Sequence, residues 1–398
     1  MKRGLMAEYA RSFDGSPIWG HERMDELEKR VPDAIELSAG TSRKARKPQA
    51  HLLEAAKKAI DDGYTDFASI KGYKDFRDAI AHKLSDENEV EYDPDTEISP
   101  TTGCQQAIDG TFRILVDPGD EVLLIDPEYA SFEPPLRWYG AKVIPVPLSK
   151  KDGNWSFNPS ELSKRVTRRT KLLVMSNPNN PVGVLYSRKQ LEAVADLAHD
   201  YDFFVASDEL YEKIIFDGSK HTSIASLPGM HERTVMFIGF SKLDHISGFR
   251  VGFVAANRDI IEQMRNVIRF TTQCVPSIGQ RTALASLLGP RDWIGQVVED
   301  YRRKRDFTVG ELNKIKGVRC HYPQSGYFAF PDFSEYGITS QYLAEYVLLH
   351  GRVKTVPGFW FGRNGEGHLR ISYSVGMDWI TEGLSRLKDA VEKLPLPS

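Results

Sequence analysis

Four short apolar runs, each stopped by polar residues, constrain this chain more than any other feature. Val122-Leu123-Leu124-Ile125 halts at Asp126-Pro127, and Lys171-Leu172-Leu173-Val174-Met175 halts at Ser176-Asn177-Pro178. Phe203-Phe204-Val205-Ala206 ends in Ser207-Asp208-Glu209, and Val235-Met236-Phe237-Ile238 ends in Gly239. Elsewhere the spacing is helical, as in Ala55-Ala56-Ile60 and Phe76-Ile80-Leu84. Uninterrupted apolar strands separated by helices predict a largely parallel sheet covered on both faces, an α/β fold. Ligands in such sheets sit at the carboxyl ends of the strands, so the residues that stop the runs are the candidates for chemistry.

The tail reads differently. A long charged helix is predicted over 293–312, short strands near Tyr327-Phe328-Ala329-Phe330 and His368-Leu369-Arg370-Ile371-Ser372, and a final helix over 378–394. This pattern suits a smaller α+β domain. The chain is therefore divided into an N-terminal segment joining the small domain (1–48), a large domain (49–285) and a small C-terminal domain (286–398).

Composition excludes several classes. A net charge of −3 gives no basic field for a nucleic-acid backbone. No apolar run approaches bilayer-spanning length, and no secretory signal follows Met1, so a membrane role is not expected and the cytoplasm is. Cys104, Cys274 and Cys320 are too few and too scattered for a disulfide framework or a zinc site, and no metal is expected.

Lys242 closes the run Gly239-Phe240-Ser241-Lys242, and Arg250 follows eight residues later. A lysine beyond a buried strand, with an arginine placed to hold an anion, suggests a covalently attached cofactor bearing a phosphate. Pyridoxal 5′-phosphate, whose aldehyde condenses with an amine, needs both. Asp208 could pair with a protonated ring nitrogen, since a carboxylate at a sheet edge needs a cationic partner. Tyr211 could reach the ring's phenolic oxygen. An asparagine of Asn177-Pro178-Asn179-Asn180-Pro181 could donate to an anionic oxygen, and spacing leaves open which one. Gly103-Cys104-Gln105 opens a helix that could offer backbone N–H groups to an anion. Tyr129 could stack on a flat ring or pack under the next helix. Arg370 is a candidate carboxylate clamp. Each has a bland counterpart: a surface aspartate, a rigid proline turn, an ordinary helix start, a surface ion pair.

In this order, Tyr129, Asn-Pro-Asn-Asn-Pro-Val-Gly, Asp208-x-x-Tyr211, Ser241-Lys242 with Arg250, then Gly362 and Arg370, the chain resembles the fold-type I aminotransferases of classes I and II. The resemblance runs from about Leu37 to the last helix. It implies a mostly parallel seven-stranded sheet in a large domain with a smaller α+β domain, and a pyridoxal-phosphate-dependent reaction that moves the α-amino group of an L-amino acid to a 2-oxo acid. Lys242 would be the Schiff-base lysine and proton shuttle, and Asp208 the partner of the ring nitrogen. Asn180 and Tyr211 would bond the phenolic oxygen, with Tyr129 stacked on the ring. Gly103, Cys104, Gln105, Ser241 and Arg250 would hold the phosphate. Arg370 would bind the substrate α-carboxylate, helped by Asn180 and the backbone at Gly40. Members of the family are usually homodimers with the site at the subunit interface.

The departures from the family pattern are specific. Gly239 stands where a serine or threonine is common. Phe67 stands where a tyrosine often reaches the partner subunit's phosphate, and it cannot donate a hydrogen bond. Asp244-His245 replaces small and aromatic residues, and is read either as an extra acid/base pair or as a packed loop. These departures keep open a non-transaminating reaction on an amino acid: a lyase, cyclase, decarboxylase or oxidase. A ligand-sensing module joined to a DNA-binding domain is disfavoured by the lack of a helix-turn-helix pattern or basic patch. Trp19, Tyr64, Phe67, Trp360 and Phe361 could line an aromatic-tolerant pocket, and Ser16-Pro17-Ile18-Trp19-Gly20-His21 could close over it. Arg265, Arg269 and Arg281 have no direction assigned by the sequence, so none can be chosen to bind an acidic side chain.

Overall fold

A computed structural model describes residues 18–39, 47–151 and 153–394, with the backbone alone for 18–21. Gly40, Ser16 and Pro17 lie outside the described residues.

Seven strands form the central sheet: β1 (Ile98–Thr101), β2 (Glu121–Asp126), β3 (Lys142–Pro147), β4 (Thr170–Ser176), β5 (Phe204–Asp208), β6 (Thr234–Gly239) and β7 (Gly252–Ala255). Their order across the sheet is β1-β7-β6-β5-β4-β2-β3. Neighbours from β6 to β3 are parallel, whereas β7 runs antiparallel to both β6 and β1. The four apolar runs are β2, β4, β5 and β6, and every residue of β2 is buried.

Because side chains alternate across a strand, β2 sends Val122 and Leu124 to one core and Leu123 and Ile125 to another. The first core is closed by Ala107, Ile108 and Phe112 of helix α1 (Gly103–Leu115) and Ile260, Ile261, Met264 and Ile268 of helix α2 (Arg258–Thr271). The second is covered by Leu191, Val194 and Ala198 of Arg188–Tyr201 and runs on into the C-terminal third. Helices Ala50–Asp61 and Lys74–Asn88 pack where predicted, Leu52, Phe76, Ile80 and Leu84 being buried. Ile60, read as part of that apolar face, is 54% exposed. It lies in the last turn of its helix, beyond the end of the buried stripe.

A three-stranded antiparallel sheet forms the C-terminal third, with β8 (Phe328–Ala329), β10 (Leu369–Ser372) and β9 (Val356–Pro357) in that order. It is flanked by the helix Trp293–Leu312 and the final helix Met377–Glu392. The N-terminal pair Ile35–Glu36 runs parallel to Val353–Lys354, tying the start of the described chain to this third. Among the described residues no helix is long and apolar enough to cross a membrane.

Candidate active site

The reversal of β7 assembles the site. In a wholly parallel sheet a residue just before a strand would lie at the opposite edge from the carboxyl ends. Here Gly252 pairs with Gly239 at the end of β6 and with Thr101 at the end of β1. Arg250, two residues earlier, is thereby delivered to the edge that carries Asp208, Ser241 and the start of α1. Its backbone is left-handed (φ 51°), and a Cβ on Gly103 would lie 2.5 Å from its guanidinium. Only glycine lets that helix start approach the arginine so closely.

A cavity of about 340 Å³ opens at this edge, lined by Cys104, Gln105, Tyr129, Asn180, Asp208, Tyr211, Ser241, Lys242 and Arg250. Nine sequence-predicted residues from separate strand ends are thus brought together. Ile108, Leu210 and Ser247 complete the lining and were not anticipated. Their apolar or hydroxyl side chains carry no signal apart from the helix and loop that present them.

Asp208 is 6% exposed, and burial raises its carboxyl to about 6 against the N–H of Leu210 (3.0 Å) and the charge of Lys242. The surrounding protein lowers the Lys242 amine to about 8, helped by the positive charge of Arg370 and opposed by Asp208. Tyr211 is buried against Tyr327, with ring centroids 5.5 Å apart, and burial pushes its phenol up. Burial likewise pushes up the Cys104 thiol. Tyr129 lines the cavity and packs edge-on to Phe132 at 5.4 Å.

The asparagines divide by role. Asn177 accepts from the Tyr186 N–H (3.0 Å) and donates to the Thr222 carbonyl, while Asn179 donates to the Pro127 carbonyl and Glu128. Both build the turn. Asn180 faces the cavity, and its Oδ1 accepts from Arg370 Nη1 at 3.2 Å. Arg370 also donates to the Ser38 carbonyl (2.9 Å) and lies between the rings of Phe328 (4.1 Å) and Phe361 (4.7 Å). Its Nε is buried without a hydrogen-bond partner. Neither Arg250 nor Arg370 has an acidic partner among the described residues, and Lys242 makes no ion pair there. The Arg370 guanidinium, disfavoured by burial, is costly without a carboxylate unless a ligand supplies one, whereas Arg250 is exposed and donates to the Ser247 carbonyl (2.9 Å).

Several expectations are corrected. Asp244 and His245 turn away from the cavity. Asp244 accepts from Ser286, and the His245 ring nitrogen Nε2 meets the Tyr301 hydroxyl at 3.0 Å. The packed-loop reading holds, and the acid/base reading fails on geometry. Phe67 is 81% exposed and Trp360 is buried in the core, so neither lines the cavity. Phe361 does reach Arg370, paired with Phe328, which the sequence reading missed. Tyr64 and Tyr73 flank Arg281, whose guanidinium is held by Asp75. Arg265 donates to the carbonyls of Asp95 and Ile98. Gly239 has a steric cause: a Cβ there would lie 2.6 Å from Cys104 Sγ.

The arrangement sets cationic side chains beside one buried acid at an α/β sheet edge. Comparison with known proteins agrees. Residues 32–387 match the family described as aminotransferase class I and II. The chain is 36% identical over 348 residues to an aspartate aminotransferase of Pyrococcus abyssi, covering 87% of this chain and 89% of the relative. It is 33% identical to an aromatic-amino-acid aminotransferase 2 of Thermococcus litoralis, with 87% and 89% covered. The crystal structure of an aromatic aminotransferase from Pyrococcus horikoshii superposes with a TM-score of 0.87 at 35% identity, covering 93% of this chain and 99% of that one. The chain belongs to the class I and II aminotransferases and has their fold-type I architecture.

Proposed function

We propose that the cavity holds pyridoxal 5′-phosphate and that the enzyme uses it to move an α-amino group from an L-amino acid to a 2-oxo acid. The observation that carries this reading is the charge pattern. Arg250 and Lys242 line a cavity whose one acidic lining residue is Asp208, Arg370 reaches its edge through Asn180, and none of the three cations has an acidic partner among the described residues. A phosphate, a carboxylate, an aldehyde and a protonated ring nitrogen would meet those four groups.

In this reading Arg250, Ser241 and the turn Gly103-Cys104-Gln105 hold the phosphate at the helix start. Asp208 keeps the ring nitrogen protonated, Asn180 and Tyr211 bond the phenolic oxygen, and Tyr129 covers one ring face. When bound, the cofactor supplies an exchangeable carbonyl and an electron sink for the substrate α-carbon. Lys242 anchors it through its amine, then takes and returns the proton at that carbon. An amine held near 8 is partly neutral at physiological pH and so able to act as a base. Arg370 fixes the substrate carboxylate, with Asn180 beside it. The departure of Asp244-His245 gives no support to another reaction, since the pair lies off the site. The divisions 1–48, 49–285 and 286–398, a homodimer and a cytoplasmic location belong to the same reading.

Reconstitution of Lys242→Ala tests it. The wild type should take up pyridoxal phosphate with a visible absorption band and convert an amino acid to its oxo acid in stoichiometric amount. The variant should lose the lysine-linked band and the conversion. A covalent band that survives in Lys242→Ala would sink the assignment.

A further inference from the structure

Glu128 lies among the cavity-forming residues and is not in the cavity lining. The residue is 1% exposed, and its carboxylate accepts from four donors. Oε1 accepts from the Tyr129 N–H (2.8 Å) and from the Ser176 hydroxyl, and Oε2 accepts from the Ser176 N–H (2.9 Å) and Asn179 Nδ2 (3.2 Å). Ser176 Oγ in turn accepts from the Asn180 N–H at 3.3 Å. The Glu128 N–H donates to the Phe361 carbonyl (2.7 Å), and Phe361 covers one face of Arg370. One residue therefore joins the ends of β2 and β4 and the C-terminal segment, and each joined piece carries a cavity or clamp residue.

We propose that Glu128 is a positioning residue for the aminotransferase reaction, setting the mutual placement of Tyr129, Asn180 and the Phe361–Arg370 pair. The inference rests on the cofactor reading above. All four partners of the carboxylate can donate and no cation among the described residues pairs with it, so its acceptor capacity is filled by groups that shape the site. Two of those groups are the backbone N–H of Tyr129 and the hydroxyl that holds the backbone of Asn180. A glutamine of the same size would turn an NH₂ group toward donors and leave at least one of them unpaired in a buried place. Burial and the nearby charge of Asp208 push the carboxyl up, and the Ser176 and Tyr129 donors oppose this by favouring the ionised, acceptor-only form.

The test compares Glu128→Gln with Glu121→Gln. Glu121 is buried at the far end of β2, paired with Lys142 and Arg169 and remote from the cavity. Both variants should lower Tm. Glu128→Gln alone should weaken pyridoxal phosphate in equilibrium dialysis, by about tenfold or more for one buried donor left unpaired. It should also raise KM for the amino acid. Equal cofactor and substrate affinities in the two variants would make Glu128 a structural residue and overturn the proposal. Should Glu128→Gln not fold, Ser176→Ala takes its place. Losing the hydroxyl that joins Glu128 Oε1 to the Asn180 N–H while keeping the other three donors on the carboxylate, it should weaken the cofactor by a smaller factor, and unchanged affinity would overturn the proposal equally. A wild type that takes up no pyridoxal phosphate would instead remove the cofactor reading, and this inference with it.

Discussion

Gly239 and Cys104 show how a single residue departs from its family for a reason that only packing reveals. The thiol occupies the space a larger residue at 239 would need, with 2.6 Å left for a Cβ. Gly239→Ser should therefore cost about 1–3 kcal/mol, as overpacking of a tight site does. Cys104→Ala in the same chain should recover most of that loss. Thermal unfolding of the two single variants and the double gives the coupling energy, and strictly additive effects would contradict the size-matched pairing. Asp208 carries a second residue-scale consequence. Its carboxyl titrates near 3.8 in the unfolded chain and about 6 when folded. Between those values the folded state binds more protons, so stability falls as pH rises through the window, and the cost is fully present above about 6. Without cofactor, Asp208→Asn should therefore be more stable than wild type at pH 7.5, by on the order of 1–3 kcal/mol. That advantage should shrink to nothing as the pH is lowered toward 4. The same variant should bind pyridoxal phosphate more weakly, which dialysis would show. A buried acid that destabilises the empty protein and stabilises the loaded one is expected of a site residue and not of a structural one.

Among the elements, those written as long uniform patterns were legible. The runs ending at Asp126, Ser176, Asp208 and Gly239 are strands because nothing polar interrupts them, and the helix over 293–312 coincides with its predicted span. The antiparallel course of β7 was not legible. Gly252-Phe253-Val254-Ala255 has no feature that sets its direction, which follows from the short 240–251 connection to β6 and not from the strand. That hidden reversal places Arg250, so the candidate residues could be named while their convergence could not be built from spacing. Glu128 escaped for a similar reason: its partners Ser176 and Asn179 are some fifty residues away and meet it only through the register of β2 and β4. Local caps, by contrast, are written in sequence. Ser187 and Gln190 form a reciprocal capping box at the start of Arg188–Tyr201. Ser187→Ala should lower stability by about 1 kcal/mol. Being remote from the cavity, it should leave cofactor affinity unchanged, which separates a loss of helix stability from a loss of site geometry.

At the scale of the whole molecule, the exposed aromatic residues point outward near the site. Phe67 is 81% and Phe270 83% exposed, and covering both by a partner would remove apolar surface from water. The segment between Phe270 and Pro276 links them. Its Thr271 and Thr272 accept from Gln106 on α1, and Cys274 shares a surface depression with Phe67. A neighbouring cavity of about 520 Å³ is bordered by Thr271, Thr272, Gln105 and Arg250, and the last two also line the candidate site. The homodimer of the proposed function would cover this rim if a second copy brought its Phe67 toward the phosphate end of the cavity. Sedimentation velocity at micromolar concentration should then give a dimer, and Phe270→Asp should shift it toward monomer. Phe67→Tyr carries the stronger test. A phenol reaching the phosphate of the other subunit would add a charge-assisted hydrogen bond, worth on the order of 1–3 kcal/mol, or roughly tenfold in cofactor affinity. The gain should appear only where the protein is dimeric and vanish in the Phe270→Asp background. A gain that persists in the monomer, or no gain in a proven dimer, would place Phe67 away from the shared site.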